Sequence, residues 1–228
     1  MLLIVPVGDV NPRKGIPIVN YLLLAANLII FFYFIFFHSG EYGRIVSEYG
    51  LIPSRFTSNV FGESWKLVTA TFLHGGVVHL LGNMLFLWIA GDNVEDKLGH
   101  VLYLFFYLLS GIVANVGHVL MAVGPSAYAP CVGASGAIAG ALGAYVIWFP
   151  RRRIRFWYFF LFFMGTFTVP SMYAIGLWFI GQLYLGSSAM VAQATGVAYW
   201  AHIGGFIFGA LAALGFGMAQ AAGRVSTS

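Results

Sequence analysis

The run Phe156-Trp157-Tyr158-Phe159-Phe160-Leu161-Phe162-Phe163-Met164-Gly165-Thr166-Phe167-Thr168 decides the topology. It is apolar almost throughout, yet only about two-thirds of the length a helix needs to cross a bilayer. Arg151-Arg152-Arg153-Ile154-Arg155 precedes it and Pro170 follows. If this run crosses, the final apolar segment reverses direction. If it folds back as an interfacial or re-entrant hairpin on the cytoplasmic side, the chain crosses six times.

The flanking sequence favours six. Of the 228 residues, 60% are hydrophobic and 8% charged, with mean hydropathy +0.87. Soluble domains carry about 25% charge, so this is a polytopic membrane protein, read as all-α and as a single domain over 1–228. The expected spans are 19–37, 74–90, 101–123, 133–149, 171–186 and 199–219. Residues 1–15 read as a short tail. No small-residue cleavage site follows the first apolar run, which is therefore a retained helix rather than a signal peptide. Residues 39–73 mix Arg44, Arg55, Lys66 and three Glu with many aromatics, as suits a long first loop lying in the interface. With the N-terminus inside, Arg13, Lys14, Lys97, Arg151, Arg152, Arg153, Arg155 and Arg224 fall on the cytoplasmic side, and Arg44, Arg55 and Lys66 outside. That division obeys the positive-inside rule and accounts for the net charge of +4 without nucleic acid. The expectation is a multi-pass protein of the plasma membrane. A single Cys131 excludes an intrachain disulfide.

Polar groups inside a membrane are costly and mark function by default. Four stand out: His79, Asn83, Ser135 and His202, with His74 just above them. In the six-span topology all lie near the outer starts of spans two, four and six, at one depth. Ser135, Ala139 and Gly143 make a stripe at spacing four, with Gly136, Gly140 and Ala144 beside it; His202, Gly205 and Gly209 share a face of the last span. Small stripes let helix backbones approach closely. Alone, a serine among Gly and Ala is packing; paired with a histidine at matched depth, it is a candidate nucleophile with its base.

No acidic residue lies in the fourth or sixth span, so Ser135 and His202 would act as a dyad, the imidazole oriented by packing against Tyr199 or Trp200. His79 and Asn83, four apart on one helix face, can donate to a tetrahedral oxyanion together with the backbone N–H of Ser135. As interhelical clamps they would need no such role. Metal chemistry fits poorly: His74 and His79 are five apart and no H-E-x-x-H occurs. Cys131 precedes the helix and lacks a turn of its own. A transporter would call for a midplane acid or inverted repeats, and neither is evident. No metal or cofactor is expected.

Gly133-Ala134-Ser135-Gly136, Ala201-His202-Ile203-Gly204-Gly205 through Gly209, and His74-Gly75-Gly76-Val77-Val78-His79-Leu80-Leu81-Gly82-Asn83 together resemble the rhomboid family of intramembrane serine proteases, over nearly the whole chain. They match G-x-S-G, A-H-x-x-G-x-x-x-G and H-x4-H-x3-N. The resemblance implies a six-helix bundle, Ser135 as nucleophile, His202 as base, and His79, Asn83, Gly133 and Ser135 around the oxyanion. It implies structural roles for His74, Trp65, Lys66, Glu95, Gly136, Gly140, Gly205 and Gly209. It also implies single-span membrane proteins as substrates, entering past span five. Two departures are visible. Trp65-Lys66 stands where many members have Trp-Arg, and Ala139 where some carry a Tyr stacked on the base. A catalytically inactive, client-binding relative is the alternative, and such relatives typically lack the Ser or the His.

Overall fold

The computed structural model describes residues 2–193 and 196–225; Met1 and the side chain of Arg224 lie outside that description. Strand β1 (Leu2–Val10) opens the chain and leads into helix α1 (Ile18–Phe37). Residues 39–73 are ordered as short helices: α2 (Tyr42–Tyr49), α3 (Pro53–Ser58), α4 (Val60–Glu63) and α5 (Lys66–Thr69). Then come α6 (Val77–Leu98), α7 (His100–Met121) and α8 (Ser135–Trp148). Strands β2 (Arg153–Phe160) and β3 (Phe163–Pro170) precede α9 (Ser171–Ala192) and α10 (Tyr199–Val225). Among the described residues, five helices are long and apolar enough to cross a membrane, and α8 is a shorter apolar helix. The protein is an integral membrane protein.

The all-α expectation is corrected by the sheet. β1, β2 and β3 form one antiparallel sheet in that order. Leu2 pairs with Phe160 and Val10 with Arg153; Arg153 pairs with Pro170 and Phe160 with Phe163. The run that decides topology is therefore a β-hairpin, and the expected tail at 1–15 contains its third strand. Aromatic and β-branched residues suit a pleated surface, and an eight-residue strand needs far less length than a spanning helix. Pro6, which has no N–H to donate, sits in an edge strand beside a shift of register, where proline is tolerated.

Helix bounds follow local chemistry. α6 continues past residue 90 to Leu98, so Asp92, Glu95 and Asp96 are helical. It stops at Gly99, whose φ of 79° is a left-handed conformation that favours glycine. α9 begins after Pro170 and runs to Ala192, beyond the expected 186. α8 has 14 residues, about 21 Å at the usual rise, against a hydrocarbon core of about 30 Å. A helix that short starts or ends inside the slab.

α8 is the centre of the bundle, and its contact with α10 is the most extensive in the molecule. The glycine stripes make that contact. A Cβ on Gly205 would collide with the carbonyl of Gly136, one on Gly209 with Gly140, and one on Gly143 with the backbone of Phe206 and Ala210. Among the described residues, Tyr103, Tyr107 and Tyr145 are the largest fully buried side chains.

Candidate active site

Ser135 is the first residue of α8. The chain reaches it through a stretch pinned on both sides. Leu51 and Cys131 exchange backbone hydrogen bonds, and Gly133 N–H donates to Ala70 O at 2.9 Å. Gly133 has φ of 130°, in the range that favours glycine. A Cβ there would lie 2.8 Å from Nε2 of His79 and 3.4 Å from Nδ2 of Asn83. The Gly133 backbone therefore passes directly against both α6 side chains.

The Ser135 hydroxyl lies 2.8 Å from Nε2 of His202 on α10. Nδ1 of His202 lies 2.7 Å from Oε1 of Gln182 on α9. With Oε1, an acceptor, facing Nδ1, the tautomer that satisfies both contacts has its proton on Nδ1 and leaves Nε2 to accept from the Ser135 hydroxyl. Trp178, one turn before Gln182, lies against the imidazole with ring centroids 5.9 Å apart and planes tilted by 35°. The expected packing of the imidazole against Tyr199 or Trp200 is corrected: Tyr199 Cβ and the Trp200 ring lie against Gly186, and both line a separate small pocket with His118. Gln182 was legible by the rule that singled out the other polar groups, being the one amide or charged side chain in residues 171–192.

His79 accepts from the Gly75 N–H through Nδ1 at 3.3 Å, which leaves its Nε2 protonated. The fully buried His74 ring meets His79 edge-on at 5.3 Å, and its carbonyl accepts from the Tyr42 hydroxyl. His74 thus props His79 from behind. Nδ2 of Asn83 is buried and has no hydrogen-bond partner among the described residues. His79, Asn83, Gly133, Ser135, Gly136 and His202 line one cavity of about 560 Å³. Cys131 lines it too, but desolvation pushes its thiol up to about 12, far from a thiolate at neutral pH. A second cleft of about 220 Å³ runs from the same Ser135 and His202 between α6 and α9, walled by Phe86, Ile138, Leu142 and Trp178.

Trp65, Lys66, Glu95, Gly140, Gly205 and Gly209 are not among the residues that line this cavity. Lys66 is 5% exposed, pairs with Glu63 at 2.7 Å and sits over the Trp65 ring. It makes one ion pair where an arginine could make a two-pronged one. Asn115 and Thr69 fasten the same loop through Leu67 O and Tyr49 O, each at 2.8 Å. Glu95 is buried at the far end of α6, where its carboxylate accepts from the N–H groups of Val19 and Asn20 and so caps α1. Gly136, Gly140, Gly205 and Gly209 form the α8–α10 contact that holds Ser135 and His202 at hydrogen-bonding distance.

A Rhomboid domain model matches residues 62–219. The chain is 33% identical over 132 residues to Rhomboid protease GluP of Bacillus subtilis, covering 58% of this chain and 25% of that protein. It is 34% identical over 131 residues to Putative rhomboid protease YdcA of the same organism, covering 57% and 61%. Presenilin-associated rhomboid-like protein, mitochondrial, of Homo sapiens is 26% identical over 189 residues, covering 82% and 45%. The chain thus spans less than two-thirds of the length of these relatives. With the family's domain matched over more than half its length, this chain belongs to the rhomboid family.

Proposed function

We propose that the protein is an intramembrane serine endopeptidase in which Ser135 and His202 cleave single-span membrane proteins. The observation that carries this is the 2.8 Å contact between the Ser135 hydroxyl and Nε2 of His202, with Gln182 Oε1 against Nδ1 of the same ring. An alcohol is a weak nucleophile until a base takes its proton. Nε2 of His202 removes that proton as Ser135 Oγ attacks the scissile carbonyl carbon. The negative charge developing on the carbonyl oxygen meets Asn83 Nδ2, His79 Nε2–H and the Ser135 backbone N–H, the last at a helix start where free N–H groups favour anions. The imidazolium then protonates the leaving amine, and an acyl ester remains on Ser135. Water entering the 560 Å³ cavity loses a proton to His202 and attacks the ester, which restores the hydroxyl.

The 220 Å³ cleft between α6 and α9 is the entry route for a substrate helix from the lipid. A substrate must unwind to present a carbonyl, and glycine or other weak helix formers near the cut lower that cost. In this reading the dyad lies below the outer membrane surface, the N-terminus is cytoplasmic, and the membrane is the plasma membrane, as the distribution of Lys and Arg supports.

The test is cleavage of a helix-destabilised single-span substrate by purified protein in liposomes. Ser135→Ala and His202→Ala should each abolish cleavage while leaving the thermal unfolding midpoint unchanged. Cleavage by folded Ser135→Ala at the parent's rate would overturn the proposal.

A further inference from the structure

The geometry points to Gln182 and Trp178 of α9 as positioning residues that hold His202 in the one tautomer able to act as a base. This rests on the dyad reading above. Each imidazole nitrogen has one partner: Nε2 has Ser135 Oγ at 2.8 Å and Nδ1 has Gln182 Oε1 at 2.7 Å. With the amide oxygen toward the ring, Nδ1 is the donor and Nε2 accepts from the serine. With the amide nitrogen toward the ring, Nδ1 would accept, Nε2 would be protonated, and Ser135 would have no base. The orientation of one buried amide therefore separates a competent dyad from an inert one.

The placement of Gln182 supports this role. It is buried, although most of α9 faces outward, and a polar amide inside a membrane helix is costly without a partner. The hydrogen bond to His202 supplies that partner. Residues 178 and 182 are one turn apart and so share a helix face. From that face Trp178 fixes the ring plane while Gln182 fixes the rotation of its nitrogens. The nucleophile, the base and the holder of the base then come from three helices: α8, α10 and α9. Because both holders sit on α9, moving α9 away from both α6 and α10 would widen the entry cleft and release the imidazole together.

The test compares Gln182→Met, which keeps length and volume without the acceptor, with Gln182→Glu, which keeps an acceptor oxygen. With a fluorogenic single-span substrate in liposomes, Gln182→Met should lower kcat about tenfold or more while KM stays within about twofold, the size expected from losing one neutral hydrogen bond that acts on the chemical step. Gln182→Glu should recover most of that loss. Histidine-labelled parent should show His202 protonated at Nδ1 by nitrogen-15 NMR, and Gln182→Met should show mixed tautomers. A kcat for Gln182→Met within twofold of the parent would overturn the inference, as would a parent ring protonated at Nε2. Should Gln182→Met fail to fold, the parent spectrum alone decides. If the parent neither cleaves substrate nor reacts with a fluorophosphonate, the protease reading fails, and the spectrum still tests the tautomer assignment.

Discussion

Asn83 carries an imbalance that a packing role leaves unexplained. Its Nδ2 is buried on α6 with no acceptor among the described residues, beside the Gly133 backbone that leads to Ser135. An unpaired buried donor costs about 1–3 kcal/mol, a cost that disappears if an oxyanion forms in front of it. Asn83→Ala should therefore lower kcat by roughly 10²-fold, the usual effect of one oxyanion donor, with KM unchanged and no loss in the unfolding midpoint. Steady-state kinetics on the detergent-purified variant make the distinction. An unaltered kcat with a lower midpoint would reassign Asn83 to interhelical packing. His79, Asn83, Ser135 and His202 were readable as polar interruptions of apolar runs. Gln182 breaks its run in the same way, but it has no histidine or serine chemistry of its own. Its meaning depends on which ring it faces, and that is a fact of tertiary packing.

The glycine stripes translate directly into how close two helices can stand. Gly209 of α10 lies against the backbone of Gly140 so closely that a Cβ would sit 2.6 Å from the Gly140 carbonyl carbon. Backbone cannot rotate aside as a side chain can, so Gly209→Leu should cost at least the roughly 1–3 kcal/mol of ordinary overpacking. It should also move His202 away from Ser135. Gly217, on the same helix, has nothing within 4 Å of its would-be Cβ and is the control. Gly209→Leu should lower both the unfolding midpoint and cleavage, and Gly217→Leu neither. Equal behaviour of the two variants would show that the α8–α10 approach does not set the site. This contact was legible because its spacing of four is local. The sheet was not. β1 and β2 are separated by the first four long or apolar helices, and β2 is aromatic enough to read as lipid-facing in any conformation. The hairpin turn adds no signal: Leu161 and Phe162 stand where Asn-Gly would be expected, with Leu161 at a left-handed φ of 55°.

That sheet gives the two ends of the molecule different characters. At the Ser135 end, the space between α6 and α9 opens as the 220 Å³ cleft. Toward the opposite end, Pro6, Ile154 and Phe156 of the sheet close a 150 Å³ apolar cavity against Phe86 and Ile89 of α6 and Ile175 and Trp178 of α9. β1 is fastened there by Asp9, whose carboxylate accepts from the Tyr145 hydroxyl and from Asn93 Nδ2 at 3.0 Å. Arg13 pairs with Asp92 at 2.9 Å nearby. Burial pushes the Asp9 carboxyl up from 3.8 to about 6; the Tyr145 hydrogen bond opposes the rise, Asp92 adds to it and Arg13 opposes it. A carboxyl whose pKa is higher in the fold than in the unfolded chain favours the fold when protonated. The Asp9 contribution is therefore complete below 3.8 and lost as pH rises through about 6. After allowance for solvent screening at this half-buried site, it is worth about 1 kcal/mol. Hydrogen exchange of the β1 amides, corrected for intrinsic rates, should show about twofold more protection at pH 5 than at pH 7.5, since less than half of the contribution is present at pH 5. Asp9→Asn should flatten that difference. An equal pH difference in the variant, or greater protection of the parent at pH 7.5, would mean that another group governs how the sheet holds the end of the bundle remote from Ser135.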